Sequence, residues 1–434
     1  MVLAILAGAP LPLAWTLAFG SCLHQDNPAP ALSSAAAARP DVFVFLGDNL
    51  YNDLDSGGMP CEPAECRKRN GFWPKLKGKL LLAAFELIAA MRPVYAKALA
   101  AKTVREHNFR TGEYDMDALA AAYQTLRAKR EFIALRDAVP SVLATWDDHD
   151  FCCNDADVSC PWAEQSRAQF LRFWRSDGAL VARGARRGVH EAYTYHVDGR
   201  PPTGGGAAAR HTVRVIVLDT RSFRTAHILP SANASVPSAA SCRAEAGVTP
   251  YCQQTAAGAT LLGEEQWAWL EAELRVAADV RIIASSISFG AEFHQNGDET
   301  WAVYPREQER LLALLHTTAA SGVVFISGDL HYGEISEVSA ARGAPYKALF
   351  DLTSSGLNMK LPAQPNRHRR GAPLRGHNWG AVAIDFAQTP AETAIELRLH
   401  DGRTGARRNA LSLTLGDLQY SGGRAGGNIS ASGS

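Results

Sequence analysis

The stretch at residues 42–51, VFVFLGDNLY, decides how the rest of the chain is interpreted. Its first five residues are apolar, and they are followed by Gly47, Asp48 and, three residues after the aspartate, Tyr51. This pattern predicts a buried strand with a carboxylate just beyond its carboxyl end, which is where open α/β sheets bind their ligands. Asp48 is therefore a candidate metal ligand, and Tyr51 becomes one if other strands end in similar groups.

Three further predicted strands do end in groups that bind metals. The strand at residues 15–19 is followed by Gly-Ser-Cys, the strand at 141–145 by Trp-Asp-Asp-His-Asp, and the strand at 323–326 by Ser-Gly-Asp-Leu-His. Together the four strands present Cys22, Asp48, Tyr51, Asp147, Asp148, His149, Asp150, Asp329 and His331. Packing alone does not explain so many polar groups, because buried charges need partners or a metal to offset their desolvation. We interpret them as a dinuclear metal site.

Such a site has a well-defined chemistry. Two metal ions can clamp a phosphoryl group, lower the pKa of bound water to generate hydroxide, and stabilise charge during in-line displacement. One aspartate must bridge the ions, and Asp48 is placed to do so. Anionic Cys22 and Tyr51 favour a hard, highly charged ion such as Fe³⁺, whereas an all-oxygen position suits Ca²⁺, Mn²⁺ or Mg²⁺. We expect two or more metal ions, one Fe³⁺ with Ca²⁺ or another divalent ion.

Predicted strands and helices alternate along the chain. Two Ala/Leu-rich regions at 76–102 and 117–139 have helical composition and spacing, and shorter helices are predicted at 162–175, 264–274 and 305–316. Near the C-terminus, the runs 394–399 and 411–415 alternate like antiparallel strands. The pattern predicts one α/β sandwich domain at 14–418 with a helical insertion at 76–139. Residues 1–13 are left as a residual signal or leader segment, and 419–434 are predicted to be a disordered tail.

Charge and cysteine content limit the partners and the compartment. Forty-four basic residues balance 44 acidic ones, so the global charge gives no signal for binding nucleic acid or a membrane surface. Cys61 with Cys66, and Cys242 with Cys252, have the spacing of disulfide-closed loops, which indicates an oxidising compartment. We therefore predict a protein that is secreted or resides in a secretory or periplasm-like compartment. No stretch predicts a transmembrane helix, and we expect a monomer.

The motifs resemble a known family. GDNLY, WDDHDF…ND, LDTRSFR, ETWAVYPREQERLLALL, SGDLHYGE, LTSSGLN and HNWG follow one another between residues 19 and 385. Their order is similar to that of the alkaline phosphatase D (PhoD-like) branch of the metallophosphoesterases. The resemblance implies a metallophosphoesterase-type β-sandwich flanked by helices. It also implies a hydrolase of phosphoric ester bonds that cleaves phosphate mono- or diesters by attack of metal-activated hydroxide.

The resemblance also suggests roles for single residues. Cys22 takes the place of the superfamily's first-strand aspartate, and Asp148 stands where its usual asparagine ligand lies. Asp329 and His331 occupy the two positions of its Gly-His-x-His element, so both are expected to bind metal. His149 stands at the histidine of its Asn-His-Asp/Glu element, and we expect it to be catalytic at the leaving-group oxygen.

Two departures from the family pattern affect the substrate pocket and the second metal. The stretch SSISFG at 285–290 lacks the histidine that many superfamily members carry after a middle strand, so oxygen ligands are expected to hold the second ion more weakly. Cys152 and Cys153 stand where the family tends to have small residues, which affects whether Asn154 reaches the site. Asn154 and Arg221 are the candidate substrate-binding residues, and Arg221 has the alternative role of bracing a carboxylate.

Alternatives without catalysis remain open at this point. Cys22 is compatible with a small buried side chain or half of a disulfide, and Tyr51 with a core tyrosine that hydrogen-bonds to a carbonyl. Asp147 and Asp150 are compatible with orienting the ligands instead of binding metal. For the whole protein, the alternative is a catalytically degenerate metallophosphatase-fold protein that serves as a metal- or phosphate-binding module.

Overall fold

The structure is a computed structural model of the 434-residue chain. It describes residues 14–51, 116–174, 186–201, 206–228, 252–293, 299–338 and 349–420. The leader segment expected at 1–13, the helix expected at 76–102 and most of the tail expected at 419–434 lie outside these ranges, as do Cys61, Cys66 and Cys242.

Two six-stranded sheets form the centre of the molecule, with strands numbered in chain order. The first sheet contains β1 (Trp15–Gly20), β2 (Val42–Leu46), β3 (Ser141–Thr145), β10 (Asn378–Asp385), β11 (Ala394–Asp401) and β12 (Arg407–Thr414). The second contains β4 (Glu191–Asp198), β5 (Arg210–Val217), β6 (Val280–Ser285), β7 (Val323–Ser327), β8 (Gly333–Val338) and β9 (Leu349–Ser354). The predicted strands at 42–46 and 141–145 have the predicted bounds.

The described helices are numbered in the same way. They are α1 (Pro30–Ala38), α2 (Met116–Ala128), α3 (Arg130–Ala138), α4 (Asp148–Phe151), α5 (Ala163–Trp174), α6 (Gly263–Arg275) and α7 (Pro305–Thr317), with 3₁₀ turns at Trp301–Val303 and Leu415–Leu418. Helix α1 was not predicted from the sequence. Within the described ranges, every helix is too short or too polar to cross a membrane.

The strand directions place seven carboxyl ends close to one another. In the first sheet, ordered β12-β11-β10-β1-β2-β3, the strands β1, β2 and β3 are parallel. In the second, ordered β4-β5-β6-β7-β9-β8, the strands β5, β6, β7 and β9 are parallel. The edge strands β4 and β8 and the segment β10–β12 pair antiparallel with their neighbours. Because parallel strands end at a common edge, each sheet gathers the loops that follow these strands on one side.

Three hydrophobic clusters show how the layers pack. One lies between the sheets and includes Leu17, Val44 and Leu46 from the first sheet with Val215 and Ile282 from the second. A second packs the other face of the first sheet, including Phe43 and Phe45 of β2, against α1, α2, α3 and α5. A third packs the other face of the second sheet against α6 and α7. The result is a sandwich of two sheets between layers of helices, and the α/β fold class predicted from the sequence is confirmed.

The sandwich explains why β2 is apolar at every position. Val42, Val44 and Leu46 point towards the second sheet, whereas Phe43 and Phe45 point towards the helices. A strand buried on both faces carries no polar alternation, which is the pattern of central strands in layered α/β folds. The polarity of the chain therefore changes abruptly where β2 ends, at Gly47 and Asp48.

Candidate active site

The loops at the carboxyl ends of the parallel strands bring most of the predicted site residues together. Cys22 follows β1, Asp48 follows β2, and Asp148 with His149 begins the short helix after β3. From the other sheet, Asp329 and His331 follow β7. Residues from both sheets, some of them hundreds of positions apart in the chain, therefore lie close together at the carboxyl ends of the parallel strands.

Four of these residues have an unusual backbone conformation. Their φ angles are positive: 61° for Cys22, 48° for Asp48, 69° for Asp329 and 61° for His331. Residues other than glycine rarely adopt a left-handed backbone conformation, and holding one in it costs on the order of 1–3 kcal/mol. Such conformations persist where the surrounding structure holds them and are concentrated at functional sites. Their coincidence at three strand ends supports a site that the fold holds in place.

Gly47 allows the loop after β2 to approach the loop after β3. Its φ is 93°, and a Cβ atom built on it would lie 2.5 Å from the Cβ of Asp147. Any other residue would both strain the backbone and push Asp147 away. The glycine before Asp48 is thus required for the two loops to meet.

One side of the site, which we call the thiol side, consists of Cys22, Tyr51 and His331 around Asp48. The Tyr51 hydroxyl donates to Asp48 Oδ2 at 2.8 Å and lies 3.2 Å from His331 Nε2. The Cys22 Sγ lies 3.6 Å from the same Asp48 oxygen. Ligand atoms of Cys22, Asp48 and His331 are all within 4.8 Å of one another. Cys22 is buried and forms no disulfide among the described residues, so the alternative that it is half of a disulfide is excluded.

The ionisation of the thiol side is unfavourable in the protein alone. Burial raises the pKa of the Cys22 thiol well above its usual value, and the neighbouring Asp48 raises it further. Burial and Asp48 act in the same way on the pKa of Tyr51. The pKa of Asp48 itself is raised by burial and by Asp148. These groups become anionic together only if a cation offsets their mutual repulsion and desolvation.

The other side of the site, which we call the carboxylate side, contains Asp147, Asp148, His149 and Asp329. Ligand atoms of Asp48, Asp148 and His149 lie within 4.8 Å of one another, and so do those of Asp48, Asp147 and Asp329. Asp48 is thus shared by both sides. Its Oδ1 is buried and has no hydrogen-bond partner among the described residues, although buried carboxylate oxygens are normally satisfied. An unpartnered oxygen among so many donor atoms fits a pair of metal ions.

A buried arginine balances the carboxylate side. The Arg221 guanidinium pairs with Asp147, with Glu299 at 2.5 Å, and with Asp148 at 3.8 Å. Arg221 is fully buried, and its backbone N–H donates to Asp219 Oδ1 at 2.9 Å, which holds the turn after β5. The structure therefore shows the alternative role, bracing carboxylates. A role of Arg221 in substrate binding stays a prediction.

Glu299 connects this network to a second arginine. It pairs with both Arg221 and Arg224 and accepts a hydrogen bond from His227 Nε2. Burial opposes ionisation of Glu299, but the two arginines lower its pKa well below the usual value. Burial, followed by Arg224, lowers the pKa of His227 to about 4, so this imidazole is neutral at pH 7.

The aspartates on this side differ in ionisation. Burial by itself would raise the pKa of Asp148, but His149 and Arg221 lower it below its usual value. The pKa of Asp147 is raised to about 6, because burial outweighs the effect of Arg221. Burial and Asp147 raise the pKa of Asp329. Asp148 is therefore a carboxylate even without metal, whereas its neighbours depend more on added positive charge.

Asp150 has an orienting role. Its carboxylate accepts the backbone N–H groups of Asn49 and Asp147, each at 3.1 Å, and so ties the loop after β2 to the loop after β3. Burial raises the pKa of Asp150 to about 8. Its contacts explain why a third acid follows the two aspartates.

His149 and Asn154 lie along one short segment. The centroids of the His149 and Tyr51 rings are 4.2 Å apart. The imidazole therefore lies between the two sides of the site. Asn154 is half-buried in the turn beyond α4, directly before Asp155, whose N–H donates to Asp148 Oδ2 at 2.5 Å. Its role in substrate binding stays a prediction.

The cysteines after α4 pair in a way that sequence reasoning missed. Cys152, which directly follows α4, forms a disulfide with Cys160. The bond closes the loop at residues 152–160, which follows Asp148 and His149. Cys252 is also disulfide-bonded, and its predicted partner Cys242 lies outside the described residues.

Three further residues near the site were missed because their motifs had no assigned role. Glu299 is the first residue of ETWAVYPREQERLLALL, Ser286 donates its hydroxyl to Asp147 Oδ1 at 2.9 Å, and Ser355 belongs to LTSSGLN. Their positions in the sequence could have identified them. Ser286 and Ser355 directly follow apolar strands, and Glu299 lies two residues before Trp301.

Comparisons with known proteins concern the family and the fold. A family model described as PhoD-like phosphatase matches residues 208–377. The structure of PhoD superposes with a TM-score of 0.52 at 17% identity, covering 93% of this chain and 72% of that chain. The predicted resemblance to the PhoD-like family is confirmed by the family model, and the fold by the superposition. No curated protein matches the chain.

Two more distant structures were also found. GAP50, the anchor in the inner membrane complex of Plasmodium, has a TM-score of 0.44 at 10% identity, with 93% of this chain and 89% of that chain covered. The purple acid phosphatase PPD1 from yellow lupin (Lupinus luteus) seeds has a TM-score of 0.47 at 8% identity, with 92% of this chain and 54% of that chain covered.

Proposed function

We propose that the chain, which a PhoD-like phosphatase family model matches over residues 208–377, hydrolyses phosphate esters with two or more metal ions bound between its two sheets. The observation that carries the proposal is Asp48. Its ligand atoms lie within 4.8 Å of ligand atoms on both sides of the site, and within the part of the chain that the structure describes one of its buried oxygens has no hydrogen-bond partner. A carboxylate in that position can serve two cations at once.

The donor types differ between the two positions. Cys22, Tyr51 and His331 with Asp48 would hold a hard trivalent ion such as Fe³⁺, because thiolate and phenolate are strong anionic ligands. Asp48, Asp148 and Asp329 would hold Ca²⁺ or another divalent ion through oxygens. When bound, such ions supply Lewis acidity towards phosphoryl oxygens and lower the pKa of a coordinated water.

The chain's own residues orient these groups and handle the proton. Arg221 fixes Asp147 and Glu299 by ion pairs, and Asp150 fixes the loop that carries Asp48. His149 lies against Tyr51 with its imidazole at the junction of the two sides. We assign it the donation of a proton to the leaving-group oxygen, a role that imidazole fills well near neutral pH.

Metal analysis combined with an activity assay tests the proposal. Purified protein is analysed for metals, treated with a chelator, and assayed with chromogenic phosphate mono- and diesters before and after add-back of single metals. We expect chelation to abolish release of the alcohol and add-back to restore it. A protein that retains its metals but releases no alcohol from any ester would be the degenerate binding module, and activity that survives complete metal removal would refute the metal-dependent mechanism.

The iron assignment has its own test. If Cys22 and Tyr51 bind one ferric ion, phenolate-to-iron charge transfer colours the protein, and about one iron per chain is present. Tyr51→Phe should shift or bleach the colour, and Cys22→Ser should weaken iron retention. Tyr304→Phe is the matched control, because Tyr304 is equally buried and its hydroxyl donates to the Thr225 carbonyl at 2.6 Å, away from the metal ligands. A colourless and fully active zinc protein would contradict this assignment alone.

We also propose an oxidising compartment for the protein. The Cys152–Cys160 disulfide and the disulfide of Cys252 support it, since such bonds are rare in reducing compartments. Peptide mapping of the protein from its native source without reduction should recover Cys152 and Cys160 in one linked peptide. Recovery of both as free thiols would argue against secretion.

A further inference from the structure

We propose that Ser355 is a positioning residue that holds Cys22 and His331 in one fixed relation across the two sheets. The inference rests on the proposed function, since it concerns two of the proposed metal ligands. Ser355 directly follows β9 and is fully buried. Its hydroxyl lies 3.1 Å from Cys22 Sγ and accepts the His331 backbone N–H at 2.8 Å. One oxygen atom therefore touches a ligand residue from each sheet.

Elementary chemistry fixes the direction of the His331 hydrogen bond, whereas the direction of the Cys22 contact depends on whether the sulfur carries a proton. A backbone N–H can only donate, so Ser355 must accept from His331 through a lone pair. A hydroxyl has one proton and two lone pairs, so the Ser355 proton stays available for Cys22 Sγ. Within the described part of the chain, these are the two side-chain hydrogen bonds of Ser355. A thiolate at Cys22 accepts only, which makes Ser355 its donor.

The segment that Ser355 begins is hydrogen-bonded to the same two loops. The N–H of Leu357 donates to the Ser21 carbonyl at 3.1 Å, and that of Leu361 donates to the His331 carbonyl at 3.1 Å. The Asn358 N–H donates to the Cys22 carbonyl at 3.3 Å. Ser355 thus adds the side-chain contact to a backbone connection that already joins both ligand loops.

The backbone of both ligands explains why such a connection is needed. Cys22 and His331 each have a φ of 61°, a conformation that the chain leaves readily unless neighbours hold it. The N–H bond of His331 to Ser355 fixes one of these left-handed residues directly. The hydroxyl bond to Cys22 fixes the sulfur of the other. Without Ser355, each loop can relax independently, and the donor atoms lose their spacing.

Ser354 provides a matched control for this role. It precedes Ser355, it is also fully buried, and its hydroxyl donates to Asn378 Oδ1 at 2.6 Å. Asn378 is the first residue of β10 and is not among the proposed ligands. Ser354→Ala therefore removes a buried hydroxyl from the same strand end without touching Cys22 or His331.

The experiment compares wild type, Ser355→Ala and Ser354→Ala as full-length, chelator-treated apoproteins. Hydrogen exchange with mass spectrometry first follows the peptide that contains the His331 amide, which needs no metal. Each protein is then titrated with Co²⁺ as a spectroscopic probe, and the thiolate-to-cobalt band is recorded. We expect faster exchange of the His331 amide in Ser355→Ala only. We expect Co²⁺ affinity to fall about 10–100-fold in that variant, as for other residues that orient metal ligands.

The position of the cobalt band separates positioning from a general loss of stability. A hydrogen bond to a thiolate stabilises its lone pairs, so removing it lowers the charge-transfer energy and shifts the band to longer wavelength. We expect that shift in Ser355→Ala and not in Ser354→Ala.

The outcomes distinguish this inference from the proposed function. Equal exchange, equal affinity and equal band positions in the two variants would overturn the role of Ser355. If wild type shows no metal-dependent hydrolysis in the add-back assay but the His331 amide still exchanges faster in Ser355→Ala alone, the positioning role is upheld and the metal-dependent function is rejected.

Discussion

The two sides of the active site meet at Asp48 but maintain their charges in different ways. On the carboxylate side, Asp147, Asp148 and Glu299 surround the buried Arg221, and Arg224 pairs with Glu299 as well. On the thiol side, Cys22 and Tyr51 both lie against Asp48, and Tyr51 also lies against His331. Protein cations thus lower the pKa values of Asp148 and Glu299 on the carboxylate side, whereas burial and Asp48 raise the pKa values of Cys22 and Tyr51 on the thiol side.

This difference follows from where the arginines come from. Arg221 and Arg224 lie in the turn after β5, which reaches the residues following β3. Within the described residues, the ion pairs of that turn reach the carboxylate side and not the thiol side. We therefore expect the carboxylate side to keep its structure without metal, and ionisation of the thiol side to depend on metal binding, because ligands must lose protons before they bind.

The largest effect is expected where both sides meet. If Asp48 serves two cations as proposed, Asp48→Asn removes the negative charge that they share, and turnover should fall by about 10²–10³-fold or more. The assay is ester hydrolysis with full metal add-back, and thermal unfolding verifies that the fold is retained. Activity above about a few per cent of wild type would show that one side works without the other.

The next effect concerns His149, which lies at the junction. His149→Ala should lower kcat by about 10²–10⁴-fold for esters with poor leaving groups and much less for activated aryl esters, since only the former need the proton. The measurement is kcat for a series of esters with graded leaving-group pKa. Equal losses across the series would assign His149 to binding or structure.

Replacement of Arg221 tests whether the carboxylate side is charged in advance. Arg221→Met leaves Asp147 and Glu299 buried with one cation fewer, and we expect a loss of about 3–5 kcal/mol in the free energy of unfolding. Urea unfolding of the metal-free protein measures it. Arg275→Met is the control, because its exposed pair with Glu271 should contribute about 0.5 kcal/mol or less. Similar losses for the two variants would remove the distinction between the sides.

The smallest effect is a pH dependence on the carboxylate side. His227 has a pKa lowered from 6.5 to about 4 by burial and Arg224, so the unfolded chain binds its proton more readily than the folded chain. Its contribution to stability is complete above pH 6.5 and is lost as the pH falls towards 4, by at most about 3 kcal/mol.

His227→Gln removes the titrating group and keeps a donor for Glu299. The slope of unfolding free energy against pH between 4 and 6.5 should therefore be shallower in this variant. Urea unfolding at several pH values measures both slopes. Identical slopes would mean that His227 is protonated in the fold and belongs to the charged network.

Much of the fold could be predicted from local pattern. The strands at 42–46 and 141–145 and the helices at 264–274 and 305–316 follow from runs of apolar residues and from helical spacing, which are properties of neighbouring residues. Helix α1 escaped prediction because Pro30–Ala38 is short and dominated by alanine and serine. The antiparallel pairing of β1 with β10 also escaped, since it joins the two ends of the described chain.

The sequence by itself determined which chemical groups stand at the strand ends: a thiol, a phenol, carboxylates and imidazoles directly after apolar runs. Only the tertiary structure decided which other residues these groups contact. Arg221 braces Asp147 across 74 positions of the chain, and Ser355 joins Cys22 to His331 across 333 and 24 positions. The reason is physical: periodicity reports the burial of a residue among its neighbours in sequence. Ion pairs and hydrogen bonds between loops depend on the packing of two sheets, which no local pattern encodes.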